Sequence, residues 1–180
     1  MIVAFAGRRI DAEGAGEPGK FPLANVDRVD RDVDQFLRER QPAVVVGSAA
    51  CGADLVVLEA AARLGIRRRV VLPFDRATFR TASVTDRPGN WGPRFDAAVA
   101  ALAPGDLIEL QFDSDDETAY EQTNVEIFRQ CEIVASLDES CVALILWNGE
   151  TRGKGDVTEA FLDEADRRGW PTVQIQTNGS

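Results

Sequence analysis

Three short segments of this chain place glycine beside side chains that can bind or transfer charged groups. They are Gly7 to Asp11, Gly47 to Asp54, and Gly153 to Glu159. Glycine lets a ligand approach the backbone closely, and arginine binds phosphate through two hydrogen bonds at once. Such segments are typical of sites for phosphorylated small molecules, although each of them also has a structural explanation.

The segment Gly7-Arg8-Arg9-Ile10-Asp11 offers two guanidinium groups and one carboxylate directly after an apolar run. An arginine here could hold a phosphate, and Asp11 could accept a hydrogen bond from a ribose hydroxyl. The structural alternative is a charged surface with one local ion pair. The position of this segment after a strand of a parallel sheet favours the ligand-binding interpretation.

The segment Gly47 to Asp54 joins an apolar run, residues 44–46, to an amphipathic stretch. This is the pattern of a strand, a tight turn and a helix, and the free N–H groups and dipole of a helix N-terminus bind phosphate. Ser48 could donate to a phosphate, while Asp54 could contact a ligand or cap the helix. Because no base is in view, Cys51 is interpreted as a packed residue rather than a nucleophile.

The segment Gly153 to Glu159 places two glycines and Lys154 before a helix start. Lys154 can offset phosphate charge, and Glu159 could act as a general acid or base at a glycosidic bond. The structural alternative is a capped helix start, because Asp156 and Glu159 have the spacing of a cap followed by an acid in the first turn.

Composition narrows the classes of function. The chain has 180 residues, which favours one domain, and its net charge of −10 and pI of about 4.5 argue against broad nucleic-acid binding. A local site can still be positive on an acidic protein. There is no histidine, so Ser-His-Asp catalysis, Cys-His catalysis and histidine-ligated metals are excluded.

Cysteine usage and hydropathy predict a cytoplasmic protein. Cys51, Cys131 and Cys141 have no paired spacing, so neither a zinc site nor a disulfide framework is predicted. No apolar run approaches the roughly 20 residues of a membrane helix. We therefore expect no membrane partner and no metal site.

Hydrophobic patterning predicts strands that alternate with helices. The expected strands are at 2–6, 43–46, 69–72, 107–110, 141–147 and 172–175; the expected helices run from 26 to the residue before Pro42 and over 54–64, 95–102, 120–137 and 156–168. Residues 75–94 are expected to form a long loop with a short helix. The pattern indicates an α/β, three-layer Rossmann-like domain over 1–176, with a mostly parallel sheet of five to seven strands, helices on both faces and a tail at 177–180.

The three segments together resemble the SLOG superfamily of Rossmann-like nucleotide-ligand proteins, which includes the Lonely-guy phosphoribohydrolases and, more distantly, the DNA-processing A proteins. The matching pieces are, in chain order, Gly7 to Asp11, Gly47 to Asp54, Leu72-Pro73-Phe74 with Phe79 and Ser83-Val84, and the glycine-rich turn before Glu159. The closest resemblance is to small SLOG domains that begin with a Gly-His-Arg-Ile-Asp-like motif. In this chain Arg8 stands at the position of the histidine. Such domains often accompany signalling or conflict modules.

The resemblance implies that the turns at Gly47–Asp54 and Gly153–Asp156 hold a nucleotide-type ligand. In the phosphoribohydrolases the second turn has the pattern Pro-Gly-Gly-x-Gly-Thr-x-x-Glu. This chain has Thr151-Arg152-Gly153 for the first three positions, keeps Gly155, and has Asp156 in place of threonine. An acid there disfavours a phosphate dianion. The Arg-Lys pair that follows the third strand in those enzymes is also missing, with Arg76 and Arg80 as the nearest arginines.

These observations favour two functions. The first is a module that binds or senses a nucleotide or nucleotide-derived molecule and signals to a partner or through a homodimer. The second is an N-glycosidase, similar to a phosphoribohydrolase or a deoxyribosyltransferase, in which Glu159 is catalytic and Arg9 or Arg80 holds the phosphate. A scaffold that has lost ligand binding is a third. The predicted ligand-binding residues are Gly7, Arg8, Arg9, Asp11, Gly47, Ser48, Ala49, Gly52, Asp54, Arg80, Ser83, Asn124, Gly153, Lys154, Gly155 and Asp156.

Overall fold

The structure is a computed structural model and describes residues 1–16 and 19–179. Within these residues six strands form one sheet. In chain order they are β1 Ile2–Gly7, β2 Val44–Gly47, β3 Arg67–Leu72, β4 Leu107–Glu109, β5 Cys141–Trp147 and β6 Thr172–Gln176. Their spatial order is β4-β3-β2-β1-β5-β6, and each neighbouring pair is parallel. The predicted α/β class and strand number are confirmed, and the sheet is parallel throughout rather than mostly parallel.

Helices cover both faces of this sheet. In the described part of the chain they are α1 Val26–Arg40, α2 Ala53–Arg63, α3 Arg76–Ser83, α4 Trp91–Ala100, α5 Ala119–Val134 and α6 Val157–Arg167. Helices α1 to α4 share one core with Val3 and Phe5 of β1. Helices α5 and α6 share a second core with Ile2 and Ala4 on the opposite face. The predicted three-layer arrangement is therefore confirmed.

The central strand β1 illustrates why a strand in the middle of this sheet is apolar at consecutive positions. Successive side chains of a strand point to opposite faces of the sheet. The run Ile2 to Phe5 is fully buried, because each face is covered by helices. On its two edges β1 pairs with β2 and β5, where Ile2 lies opposite Val44 and Cys141.

The sheet changes its winding direction at β1. From β1 the chain moves outward through β2, β3 and β4, and it then crosses back to form β5 and β6 on the other side of β1. In open α/β sheets of this kind, ligands bind in the crevice outside the carboxyl ends of the strands at such a switch point. The three glycine-containing segments of the sequence follow β1, β2 and β5, so all three lie at this edge.

Residues 75–94 are more helical than predicted. Helix α3 begins at Arg76 because the Asp75 carboxylate accepts hydrogen bonds from the backbone N–H groups of Ala77 and Thr78 at 2.9 and 3.0 Å. Helix α4 begins at Trp91 rather than at residue 95. The Trp91 indole is buried and donates to the Pro88 carbonyl at 2.9 Å, which anchors the helix start.

Smaller differences occur at other element ends. Helix α5 ends at Val134, short of the predicted Leu137, which is fully exposed. Strand β3 begins at Arg67, which pairs with β2, rather than at 69. Thr177, the first residue of the predicted tail, is buried and its hydroxyl donates to the Lys20 carbonyl. Among the described residues, no helix has the length and apolar character needed to cross a membrane.

Candidate functional site

A cavity of about 300 Å³ opens at the carboxyl edge of the sheet, beside the end of β1. Its walls are the loop after β1, the turn after β2, helix α3 with the residues that follow it, helix α5 and the start of α6. The volume lies at the lower end of the roughly 300–1,000 Å³ of small-molecule sites. The predicted ligand-binding residues that line it are Gly7, Arg8, Arg9, Asp11, Ser48, Asp54, Ser83 and Asn124.

Glycines let the walls approach one another. A Cβ at Gly7 would lie 2.5 Å from the Cβ of Ala53, and a Cβ at Gly47 would lie 2.4 Å from the Phe5 ring. Gly52 has φ +94°, and a Cβ there would lie 2.8 Å from the backbone nitrogen of Ile10. Gly47 and Gly52, together with the buried Ala49, therefore pack the α2 turn against β1, and they lie behind the cavity rather than on its surface.

Two polar side chains of the same turn face the cavity. Oδ2 of Asp54 accepts a hydrogen bond from the backbone N–H of Ala50 at 3.1 Å. Oδ1 of Asp54 and Oγ of Ser48 are buried and have no hydrogen-bond partner within the described residues. Burial raises the pKa of Asp54 to about 7, against the lowering effects of the Ala50 N–H and the Arg9 charge. The turn therefore presents one unpaired carboxyl oxygen and one unpaired hydroxyl.

Arg8 follows β1 and is buried against the start of α6. Its guanidinium donates to both carboxylate oxygens of Asp156 at 2.6 and 2.8 Å, to Oδ1 of Asn148 at 3.1 Å, and to the Glu150 carbonyl. Both side chains of the ion pair are at most 3% exposed. Arg8 thus joins the β1 loop to the β5–α6 turn and is fully engaged by protein groups.

Asp156 is the N-cap of α6. Its carboxylate accepts from the backbone N–H groups of Arg152 at 2.7 Å, Thr158 at 3.0 Å and Glu159 at 3.5 Å. Although burial acts to raise the pKa of Asp156, hydrogen bonds from Arg8 and the Arg152 N–H hold it well below its usual range. Asp156 therefore supplies the anion that the helix N-terminus attracts.

Arg9 points across the mouth of the cavity. It donates to both carboxylate oxygens of Asp86 at 3.0 and 2.9 Å and to the Ala82 carbonyl at 3.1 Å. Asp86 also lies 3.5 Å from Nε of Arg87, which lines the cavity. Two guanidinium groups therefore share one carboxylate, and this cluster keeps one surplus positive charge.

Helix α5 supplies the opposite wall. The hydroxyl groups of Tyr120 and Ser83 form a hydrogen bond of 2.7 Å across the cavity. Nδ2 of Asn124 donates to the Val157 carbonyl at 2.8 Å, so this amide fixes the start of α6. The Tyr120 ring meets Phe74 edge-on, with ring centroids 5.6 Å apart.

Asp11 closes its own loop. Its two carboxylate oxygens accept from the backbone N–H groups of Lys20 and Phe21, each at 3.1 Å. The side chain lines the cavity, but its acceptor oxygens are engaged by the backbone. The predicted role of Asp11 as the acceptor for a ribose hydroxyl stays a prediction.

The other predicted residues lie off the cavity surface. Gly153, Lys154 and Gly155 are exposed and are not part of the lining. Glu159 accepts a hydrogen bond from the Thr151 hydroxyl and is not part of the lining. Arg80 donates to Asp96 at 2.8 and 2.9 Å on another surface, because α3 turns it away from the site.

Several lining residues were not predicted from the sequence. The polar ones are Lys20, Arg87, Tyr120, Thr123, Arg152 and Thr158. Tyr120 had a usable signal, because it is the single tyrosine of the chain and follows an acidic loop at the start of a helix. Arg87 lies within residues 75–94, and a long irregular segment of this kind is often functional.

Comparison with known proteins supports the fold alone. No family model matches this chain, and no curated protein matches its sequence significantly. A similar solved structure is the X-ray structure of TM1055, Northeast Structural Genomics Consortium target VT76, with a TM-score of 0.54 over 95% of this chain and 71% of that chain. The two sequences are 12% identical, so the likeness is one of Rossmann-like architecture.

Proposed function

We propose that this chain binds a nucleotide or nucleotide-derived small molecule in the cavity, as a sensor in a signalling or defence process. The observation that carries the proposal is the location of the cavity at the switch point of a parallel sheet, where such folds bind ligands. A ligand there would contact the β1 loop, the α2 turn, α3 and α5 together. Occupancy could then be transmitted through these elements to a partner or to a second copy of the chain.

The charges of the lining support an anionic ligand. Among the described residues, the basic side chains that line the cavity are Arg8, Arg9, Lys20, Arg87 and Arg152, and the acidic ones are Asp11 and Asp54. The chain as a whole has a net charge of −10. Arg8 and Arg152 are offset by Asp156, and Arg9 and Arg87 share Asp86. The positive charge that can attract an anion to this cavity therefore lies at Arg9, Arg87 and Lys20.

The anionic group has a preferred end of the cavity. At the start of α6 the backbone N–H groups donate to Asp156, and Arg8 neutralises the charge of that carboxylate. At the other end, Arg9 and Arg87 share the single carboxylate of Asp86. We therefore place a ligand phosphate beside Arg9 and Arg87 rather than at the Gly153–Asp156 turn that the family resemblance implies.

Apolar surface in the same cavity suits a planar base. Ile10, Phe79 and Ile127 line it, and the Tyr120 ring adds an aromatic face with a polar tip. Small-molecule sites typically combine a mostly apolar lining with a few polar groups that fix orientation. This mixture fits a ligand with both a phosphate and a base.

The N-glycosidase remains the second function, and no observation in the cavity favours it over binding. Glu159, its catalytic candidate, is bound by Thr151 and lies outside the lining. Cys51 is fully buried, and burial raises the pKa of its thiol to about 11, so a thiolate nucleophile is disfavoured. We therefore place binding first.

Thermal unfolding in the presence of nucleotides tests the proposal. The panel contains the common 5′-mononucleotides, cyclic mononucleotides and ADP-ribose, and each mixture is then separated by chromatography. A ligand at 100 times its Kd stabilises a protein by about 2.7 kcal/mol, which is easily measured as a rise in Tm. We expect a concentration-dependent rise without products, whereas release of free base would favour the N-glycosidase.

A matched pair of arginine variants locates the binding site. Arg87→Gln removes a charge that lines the cavity, and Arg76→Gln removes one that is exposed beside Glu109 outside it. We expect Arg87→Gln to weaken nucleotide binding about tenfold or more, in line with the 1.5–3 kcal/mol of a charge-assisted hydrogen bond. Arg76→Gln should leave binding unchanged. Absence of stabilisation by every compound would overturn the proposal.

A further inference from the structure

Two buried polar atoms at the α2 turn lack partners in the part of the chain that the structure describes. They are Oγ of Ser48 and Oδ1 of Asp54, and both side chains line the cavity. Asp54 is 6% exposed, and its other oxygen is held by the Ala50 N–H. A buried polar group without a partner destabilises the folded state, so each such group in a folded protein requires an explanation.

We propose that Ser48 and Asp54 recognise the sugar hydroxyls of the ligand. The proposal rests on the proposed function and assigns the part of the nucleotide that contacts the α2 turn. A hydroxyl group both donates and accepts hydrogen bonds. One sugar hydroxyl, or the two of a vicinal diol, can donate to Oδ1 of Asp54 and accept from the Ser48 hydroxyl, which satisfies both atoms.

Other ligand groups match this pair less well. A phosphate dianion can accept from Ser48, but it has no proton to donate to Oδ1 of Asp54, and its charge repels the Asp54 carboxylate once that carboxylate is ionised. A base edge can pair with both atoms only through two different groups, an N–H that donates to Asp54 and a ring nitrogen or carbonyl that accepts from Ser48. A hydroxyl can donate to Asp54 and accept from Ser48 through a single oxygen.

A comparison of the hydrogen bonds accepted by Asp11 and by Asp54 supports the assignment. Asp11, which the sequence suggested as the ribose acceptor, already accepts from two backbone N–H groups. Asp54 accepts from one, and burial raises its pKa, against the lowering effect of that single N–H donor and of the Arg9 charge. A ligand hydroxyl that donates to Asp54 supplies the missing donor. Binding then forms a hydrogen bond to a carboxyl oxygen for which the described chain provides no partner.

Paired ligands on the intact chain test this inference. Calorimetric titrations use the 5′-monophosphates of adenosine, guanosine, cytidine and uridine, each beside its 2′,3′-dideoxy counterpart. A site that hydrogen-bonds a hydroxyl rejects the analogue that lacks it. For the best-bound nucleotide we expect removal of the hydroxyls to weaken binding by about 10-fold or more.

Variants assign that difference to the two side chains. In Asp54→Ala the ratio of the two affinities should fall below about 3, and in Ser48→Ala it should fall part of the way. Asp96→Asn, which removes an exposed carboxylate beside Arg80 outside the cavity, is the control and should keep the full ratio. If Asp54→Ala does not fold, Ser48→Ala and the ligand pairs on the wild-type chain decide the result.

A base-free probe separates this inference from the proposed function. D-ribose 5-phosphate and 2-deoxy-D-ribose 5-phosphate are titrated while the backbone amide signals of residues 48–54 are followed by NMR. Equal affinities for a nucleotide and its dideoxy analogue would overturn hydroxyl recognition and leave nucleotide binding intact. Shifts that D-ribose 5-phosphate alone produces, without binding of any nucleotide, would support hydroxyl recognition and reject the nucleotide. No response to any probe would reject both.

Discussion

The turns that begin α2 and α6 both follow a parallel strand, and each buries an aspartate. Asp156 accepts from Arg8 and from backbone N–H groups, and its pKa lies well below the usual range. Asp54 has one N–H donor and an unpaired oxygen, and its pKa rises to about 7. The same residue type at neighbouring helix starts is therefore saturated in one turn and unsatisfied in the other.

The difference indicates how a fold with several helix N-termini at one edge can restrict binding to part of that edge. A helix start attracts anions wherever its N–H groups are free. The α6 start is occupied by its own aspartate and its neutralising arginine, so it acts as a joint between β1 and α6. The α2 start keeps an oxygen of Asp54 and the hydroxyl of Ser48 without a partner in the described chain, and both side chains line the cavity.

The largest expected effect comes from opening the saturated turn. Asp156→Asn leaves the Arg8 charge buried without a counter-ion, and removal of one partner of a buried pair costs about 3–5 kcal/mol. Asp75→Asn is the matched control, because Asp75 caps α3 through the same two N–H positions but faces no buried cation. Urea unfolding at pH 7 should show a large loss for the first variant and less than about 1 kcal/mol for the second.

Acid should remove the same contribution. Because the pKa of Asp156 is lower in the folded chain than its ordinary 3.8, the stabilisation is present above pH 3.8 and is lost as the pH falls below it. The stability gap between the wild-type chain and Asp156→Asn should therefore narrow in that range. Equal losses of unfolding free energy for Asp156→Asn and Asp75→Asn at pH 7 would contradict the description of Arg8–Asp156 as a saturated ion pair that links the β1 loop to α6.

Relieving the unsatisfied turn should have the opposite sign. Between pH 3.8 and about 7 the unfolded chain has released the Asp54 proton that the folded chain retains, so stability falls as the pH rises and levels off above 7. Asp54→Asn removes this cost, with an upper limit of about 4 kcal/mol for the shift. We expect the variant to gain stability over the wild-type chain between pH 4.5 and 8.

The exposed pair Arg80–Asp96 provides the control for this titration. Asp96→Asn changes a carboxylate whose pKa is lowered by its hydrogen bonds from Arg80, so it should give no gain in stability at higher pH. A difference between Asp54→Asn and the wild-type chain that does not change with pH would show that Asp54 is not the titrating group.

The sequence predicted the edge of the sheet at which the cavity opens better than it predicted the residues that line the cavity. Parallel strands bring their carboxyl ends to one edge, so the segments after β1, β2 and β5 could be grouped from periodicity alone. The Arg8–Asp156 pair could not, because the two residues are 148 positions apart and no local pattern records such a partnership. For the same reason the Ser83–Tyr120 contact was missed, and Asp11 and Asp54 could not be told apart.

Glycine substitutions probe the packing of the two turns. A Cβ at Gly52 would lie 2.8 Å from the Ile10 nitrogen and 2.9 Å from the Arg8 carbonyl, and its φ of +94° suits glycine. Gly155, with φ +82°, faces open space. We expect Gly52→Ala to cost about 3 kcal/mol and Gly155→Ala about 1–2 kcal/mol in chemical unfolding. Similar costs for both would mean that the α2 turn can relax away from the β1 loop.

The smallest expected effect is at Glu159, which belongs to the saturated turn. Its carboxylate is half-buried, accepts from Thr151 and does not line the cavity. Glu159→Gln should therefore change the unfolding free energy by no more than about 0.5 kcal/mol and leave the nucleotide Kd within about twofold. Calorimetry gives the Kd, and chromatography of the same mixtures detects any free base. If the wild-type chain releases base from a nucleoside monophosphate and Glu159→Gln does not, the catalytic assignment of Glu159 is correct, and the contrast between the two turns must be reversed.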